Sequence, residues 1–88
     1  MQRHVKIYFD HFDFKVAEDI ICEGCQGQAV EIHHIHGRGA GKNVINNLIA
    51  LCRKCHERAH SSKHYVSKDE FQYMHNNFLQ GTRKPFLK

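Results

Sequence analysis

The sequence predicts a small α+β domain: a β-β-α unit pinned by a four-cysteine zinc site and flanked by an N-terminal strand and a C-terminal helix. Three features indicate this architecture, namely two Cys-x-x-Cys turns, two short apolar runs of strand character, and a capped amphipathic segment near the C-terminus. The 88 residues suffice for one domain, spanning 1–88, and leave no room for a second core.

An N-terminal strand is predicted because Val5, Ile7 and Phe9 alternate with more polar residues. The alternation changes phase after Asp10, where we expect a turn or an irregular segment. The stretch 16–22 is predicted as a short strand or a helical turn that leads into the first cysteine pair.

The central β-β-α unit is predicted from three segments. The stretch 29–35 is rich in β-branched residues and reads as a strand, after which three glycines break 37–42 into a loop. A second short strand is expected at 48–51 and a helix at 53–60.

A final helix is predicted after the capping box formed by Ser67 and Glu70. Gly81 is a plausible stop for this helix. One face of the helix is apolar and should join the core: Phe71, Met74 and Phe78.

The net charge of +4 and the pI near 9.0 favour a polyanionic partner. No apolar run approaches the roughly 20 residues that span a bilayer, and no signal peptide opens the chain, so we expect no membrane partner. A cytoplasmic location is expected, where cysteines stay reduced and available to metal.

Two Cys-x-x-Cys turns, Cys22 to Cys25 and Cys52 to Cys55, provide four thiolates for one tetrahedral ion. The second turn opens a predicted helix, where exposed backbone N–H groups stabilise thiolate. Redox pairs or disulfides are the alternatives, but a thioredoxin-like motif needs a βαβ setting and secretion is not indicated. We therefore predict a structural Zn²⁺.

Histidines form a second candidate site. His56 and His60 are four residues apart on the predicted helix, so they share a face and can chelate one ion. His33 and His34 are neighbours on a strand, so one can join the helical pair while the other faces a water molecule. A histidine titrates near neutrality and suits a general base, which an amide could orient. The candidate amides lie just before the second strand: Asn46 and Asn47.

The segment from about Cys22 to His60 resembles the HNH endonucleases, a family with the ββα-metal fold. The resemblance rests on three stretches in order, which are 31–35 (EIHHI), Asn47 with the leucine after it, and 51–56 (LCRKCH). The two bracketing cysteine pairs are similar to those of the zinc-containing branch, common in phage and bacterial nucleases.

The resemblance implies a role for each matching residue. His34 takes the position of the general base, and Asn47 that of the asparagine that orients the catalytic loop. The implied ligands of a catalytic divalent ion are His33, His56 and His60. Imidazole ligands suit several metals, and the candidate ions are Mg²⁺, Mn²⁺, Ni²⁺, Co²⁺ and Zn²⁺.

Several cations near the predicted site are candidate contacts to DNA phosphates: Arg38, Lys42, Arg53, Lys54 and Arg58. For the two in the glycine loop, a solvated turn is the alternative. His36 is an alternative ligand or phosphate contact. Other histidines are expected at the surface: His4, His11, His64 and His75. Tail cations are expected in a solvated segment: Arg83, Lys84 and Lys88.

Together these features predict a metal-dependent HNH endonuclease that hydrolyses DNA phosphodiester bonds, by nicking or by double-strand cleavage. His34 would deprotonate the attacking water, and the resemblance implies 3′-hydroxyl and 5′-phosphate products. A non-catalytic zinc module that binds nucleic acid and an assembly factor with a decayed nuclease centre are the alternatives, and neither needs the histidine set. DNA is the expected partner, with phage packaging proteins or another specificity partner as candidates in a bacterial or phage-infected cytoplasm.

Overall fold

The computed structural model describes residues 1–87, which form three α-helices and one two-stranded antiparallel sheet. In chain order the elements are α1 (Arg3–Phe12), β1 (Glu31–His34), β2 (Leu48–Leu51), α2 (Arg53–Glu57) and α3 (Lys68–Leu79). Short 3₁₀ turns lie at Ala17–Asp19 and Ile45–Asn47. The second of these leads directly into β2 and is called the Asn47 turn below.

The hairpin of β1 and β2 confirms the predicted strand pair, although β1 is shorter than the predicted 29–35. Its register pairs Glu31 with Leu51 and His34 with Leu48. All of β2 is buried, whereas β1 alternates between outward and inward side chains. The pleat therefore turns His33 and His34 to opposite faces of the sheet.

The predicted N-terminal strand is wrong, because residues 3–12 form helix α1. The residues that this helix buries are His4, Tyr8 and Phe9, which recur at helical rather than strand spacing. The alternation at 5–9 covered too few residues to separate the two periods, and it put fully buried Tyr8 on the polar side. His4, predicted at the surface, is buried as well.

The connection after α1 also differs in detail from the prediction. The helix continues beyond Asp10, and the turn comes at Asp13, whose φ of 59° is left-handed. The stretch 16–22 contains a helical turn at Ala17–Asp19, which was one of the two predicted alternatives.

Helix α2 is shorter than predicted. It ends at Glu57, and His60 lies in the turn that follows, where its backbone N–H donates to the Glu57 carbonyl at 3.0 Å. His56 and His60 are therefore not two residues of one regular helix. Their rings still lie near each other, with centroids 6.1 Å apart.

Helix α3 begins and ends as predicted. The Ser67 hydroxyl accepts from the Glu70 N–H at 3.1 Å, and the Glu70 carboxylate accepts from the Ser67 N–H at 3.0 Å. Gly81 follows the helix with a φ of +100°, a conformation that favours glycine. The predicted apolar face is buried, but so is His75, which was expected at the surface.

The core lies between α1, the buried face of the hairpin and α3. Its fully buried side chains include Tyr8, Ile35, Leu48 and Phe71. None of the helices within residues 1–87 has the length and apolar character needed to cross a bilayer. Lys88, one of the predicted tail cations, lies outside the described residues.

Candidate active site

The four cysteines converge as predicted. Their sulfur atoms all lie within 4.8 Å of one another, and the Cys25 and Cys52 sulfurs are 3.7 Å apart. Four sulfurs at about 2.3 Å from a tetrahedral zinc ion would be roughly 3.8 Å from each other. The cluster therefore has the size and donor set to hold a metal ion such as zinc.

Two structural elements supply these ligands. Cys22 and Cys25 belong to a tight knuckle in which the Cys22 N–H donates to the Gly27 carbonyl at 2.7 Å. Cys52 is the N-cap of α2, and its sulfur accepts from the Cys55 N–H at 3.4 Å. The cluster thereby joins the entrance of the hairpin to the start of α2.

The sulfur cluster favours one thiolate, that of Cys22. A hydrogen bond from the Cys55 thiol, assisted by backbone N–H groups, lowers the pKa of Cys22 to about 4 although burial opposes this. The same bond raises the pKa of Cys55. One negative sulfur makes ionisation of the next one costly, and a divalent cation at the centre relieves that repulsion.

The three predicted ligand histidines lie in one row. The rings of His33 and His56 have centroids 4.7 Å apart, and His56 is followed by His60 at 6.1 Å. Phe71 of α3 packs at 6.0 Å from the His33 ring and limits its movement. Among residues 1–87, the cysteines are the one group whose ligand atoms already lie close enough together to hold an ion, and the imidazoles do not form such a group.

His33 is suited to bind a cation because it stays neutral. Burial, followed by the charges of His56 and His34, lowers the pKa of His33 to about 4. A neutral imidazole keeps the lone pair that a metal needs.

Glu31 contacts the histidine row, a role that sequence reasoning missed. Its Oε1 atom lies 2.6 Å from Nδ1 of His56. A strand places residues i and i+2 on one face, so the position of Glu31 two residues before His33 was the available signal. With Nδ1 engaged, Nε2 is the His56 nitrogen that remains for an ion.

His34 occupies a buried position on the other face of β1. Its Nε2 lies 2.8 Å from the Oδ1 atom of Asn43, and its ring is 4.5 Å from that of His4. Since an amide oxygen only accepts, Nε2 carries the proton and Nδ1 has the free lone pair. Within the described chain, this Nδ1 is buried and has no hydrogen-bond partner.

The amide that contacts the candidate base differs from both predicted residues. The side chain of Asn43, directly after the glycine loop, contacts His34, whereas Asn46 contributes its backbone carbonyl to a bond with Gln72 at 2.8 Å. Asn46 and Asn47 were predicted because they lie just before β2. Asn43 reaches His34 instead because the glycine loop folds back over β1, and no local sequence pattern indicates this fold.

Asn47 holds the glycine loop at both ends. Its Oδ1 accepts from the His36 N–H at 2.8 Å, while Nδ2 donates to the carbonyls of Gly37 at 3.2 Å and Lys42 at 3.0 Å. Asn47 is itself buried. The amide is thus fully used in fixing a loop whose glycines at 37, 39 and 41 have positive φ.

A cleft of about 250 Å³ joins the two faces of this site. Its lining includes His33, His34, His60, Gly37, Tyr65 and Lys68. The last two were not singled out from the sequence: Tyr65 lies between α2 and α3 in a stretch without a motif, and Lys68 is the first residue of α3, where only the capping box was noted. Tyr65 is 59% exposed, and Lys68 makes no salt bridge within the described residues.

Four of the predicted phosphate contacts are exposed, namely Arg38, Lys42, Arg53 and Lys54, whereas Arg58 is half-buried. The charge of Arg38 contributes to the lowered pKa of His33 and of His4, so the positive potential of this side chain extends to the cleft. Lys54 instead lines a separate cavity with Glu57.

Comparison with known proteins gives two matches. Residues 22–62 match the family model described as HNH endonuclease, and this segment includes both cysteine pairs and the histidine row. The chain is also 32% identical, over 71 residues, to the type IV methyl-directed restriction enzyme EcoKMcrA of Escherichia coli (strain K12), a match that covers 68% of this chain. It covers 26% of that enzyme, so the chain spans about a quarter of the relative's length. No solved structure gives a significant match.

Proposed function

Residues 22–62 belong to the HNH endonuclease family, and we propose that the chain is a metal-dependent DNA endonuclease that hydrolyses phosphodiester bonds. The observation that carries this proposal is the environment of His34. One ring nitrogen is fixed by Asn43, while the other is buried and unpartnered among the residues described. An orphaned acceptor is costly in a protein interior, and a reacting water molecule would satisfy it.

In this proposal His34 is the general base. Its Nδ1 accepts a proton from the water molecule that attacks phosphorus, and the Asn43 contact keeps the ring in the tautomer that can do so. The nearby His4 ring restricts the rotation of His34.

His33, His56 and His60 would hold a divalent ion. When bound, such an ion neutralises charge on the scissile phosphate and on the leaving oxygen. The neutral state of His33 and the Glu31 contact to His56 support this assignment. The ion remains one of Mg²⁺, Mn²⁺, Ni²⁺, Co²⁺ or Zn²⁺.

Substrate phosphates would be held by cations around the cleft. Arg38 and Lys68 are the best placed by cavity lining and electrostatics, and Lys42, Arg53 and Lys54 would add contacts farther along the DNA backbone. Asn47 contributes by keeping the loop of Arg38 and Lys42 in one conformation.

The test is cleavage of supercoiled plasmid by zinc-loaded protein, with each candidate ion added in turn. His34→Ala should lose cleavage but keep its fold and its affinity for DNA. His11→Ala is the matched control, because His11 is an exposed histidine at the end of α1. Undiminished cleavage by His34→Ala would remove the assigned base.

The rival function is a zinc module that binds nucleic acid without cleaving it. This function requires only the cysteines and the basic surface, and it leaves the histidine row and His34 without a role. Binding to DNA with no cleavage under any of the five ions would favour this rival.

We further propose that a partner supplies sequence specificity, since a domain of 88 residues offers little surface for reading bases. Phage packaging proteins are one candidate class. A cytoplasmic location is proposed as well, because a zinc site on four free cysteines suits a reducing compartment.

A further inference from the structure

A cluster of three polar side chains lies in the core, away from the cleft. Glu23, Tyr8 and His75 are each 2% exposed or less. The Tyr8 hydroxyl donates to Oε2 of Glu23 at 2.6 Å, and the Ala50 N–H donates to the same oxygen at 3.1 Å. Oε1 of Glu23 lies 2.7 Å from Nδ1 of His75. One carboxylate thus joins α1, the cysteine knuckle, β2 and α3.

The second nitrogen of His75 extends this cluster to the Asn47 turn. Its Nε2 meets the backbone carbonyl of Ile45, the first residue of that turn. Because a carbonyl only accepts, Nε2 must donate to it. Gln72, one helical turn earlier, donates to the carbonyl of Asn46 at 2.8 Å. Helix α3 therefore binds two successive carbonyls of the turn.

Stability alone gives a weak reason for this arrangement. A buried charged or polar pair costs desolvation, and well-packed apolar side chains in its place are often as stable or more so. The pair of Glu23 and His75 does fix geometry, since each polar side-chain atom of the two residues has a defined partner. What it fixes is the backbone immediately before Asn47, whose amide closes the glycine loop.

We propose that His75 is a positioning residue for the cleft: anchored by Glu23, it holds the Asn47 turn, and through Asn47 it holds the loop that carries Asn43 and Arg38. The proposal rests on the proposed nuclease function for its catalytic readout. His75 lies outside the segment 22–62 that matches the family. The segment that matches the family would thus depend on helix α3, which lies outside that segment.

Two substitutions separate the two bonds of His75. The amide nitrogen of glutamine can reach the position of Nε2, so His75→Gln keeps the bond to Ile45 and gives up the one to Glu23. Asparagine reaches the position of Nδ1, so His75→Asn keeps the Glu23 bond and gives up the Ile45 bond. The same residue therefore yields two variants with opposite losses.

The expected results differ in stability and in catalysis. His75→Gln should have the lower urea midpoint, because a buried carboxylate oxygen loses its donor, yet its kcat should stay near the wild-type value. His75→Asn should lose roughly tenfold or more in kcat, because a small displacement of the loop misplaces the groups that act on the substrate, with unchanged affinity for DNA. The control is Asn77→Ala, since the Asn77 amide bonds only within α3.

A readout independent of cleavage completes the test. The His36 N–H, which donates to Asn47, should exchange with deuterium faster in His75→Asn than in His75→Gln or the control. If kcat and exchange instead followed the loss of stability in both variants, His75 would be a structural residue and the proposal would be overturned. If wild-type protein cleaves nothing, the nuclease function fails, and the exchange rates still decide whether His75 positions the loop.

Discussion

Oε1 of Glu31 lies 2.6 Å from Nδ1 of His56, so strand β1 and helix α2 are joined by a carboxylate-imidazole contact within the histidine row. Glu31 and His33 share one face of β1 because they are two residues apart. Carboxylates in this position fix the orientation of a metal-binding ring and raise its basicity.

Glu31→Gln should therefore weaken the binding of a divalent ion by the histidine row without disturbing the cysteine site. The expected loss in affinity for Mn²⁺ or Ni²⁺ is about 10- to 100-fold, because the ring keeps its position but loses the charged partner. Titration calorimetry on zinc-loaded protein measures it. The exposed control is Glu18→Gln, and equal affinities in both variants would show that Glu31 does not act on an ion.

Asn47→Ala should release the glycine loop. Three backbone groups lose their partner at once, and we expect a cost of about 1–3 kcal/mol in the free energy of unfolding. Cleavage should fall by roughly 100-fold, since small displacements of reacting groups have effects of that size. Urea denaturation and single-turnover kinetics give the two values. A variant with normal kcat and reduced stability would contradict the role of Asn47 in orienting the loop.

Loss of any cysteine ligand should unfold the domain rather than only inactivate it. Zinc binding to structural sites is worth about 10–16 kcal/mol, which equals or exceeds the stability of a typical small domain. We expect Cys52→Ser to lose zinc and cooperative thermal unfolding, as seen by circular dichroism, and a chelator to do the same to wild type. An unchanged melting curve in excess chelator would show that the sulfur cluster is not a folding ligand.

The burial of His33 predicts a pH dependence of stability. Its pKa falls from the ordinary 6.5 to about 4, first through burial and then through the charge of His56. Between these values the unfolded chain binds a proton that the folded protein does not, so acidification favours unfolding. The free energy of unfolding should fall more steeply from pH 6.5 to 4 in wild type than in His33→Gln. Protonation of the cysteines affects both proteins alike, so equal slopes would refute the shift.

The sequence predicted those parts of the fold that depend on near neighbours. The capping box of Ser67 and Glu70, the two strands and the four-cysteine cluster follow from spacing alone, and the structure confirms them. Helix α1 was missed because a five-residue alternation does not distinguish period 2 from period 3.6. Burial of Tyr8 and His4 on one helical face decides it.

The parts that could not be predicted depend on contacts distant in sequence. His75 read as a surface histidine, but its partner Glu23 lies 52 residues earlier in the chain. Asn43 contacts His34 because the glycine loop folds back, and three positive-φ glycines permit several such paths. A local sequence pattern indicates where the chain can turn, but tertiary packing determines which conformation the loop adopts.

Counting the ions bound per chain tests most directly whether the histidines form a site separate from the cysteines. Zinc-loaded wild-type protein, titrated with Ni²⁺ or Mn²⁺ and measured by elemental analysis, should bind one further ion. His56→Ala should retain its zinc and bind no further ion. A wild type that takes up zinc alone, or a His56→Ala protein that releases its zinc, would contradict the two-site account.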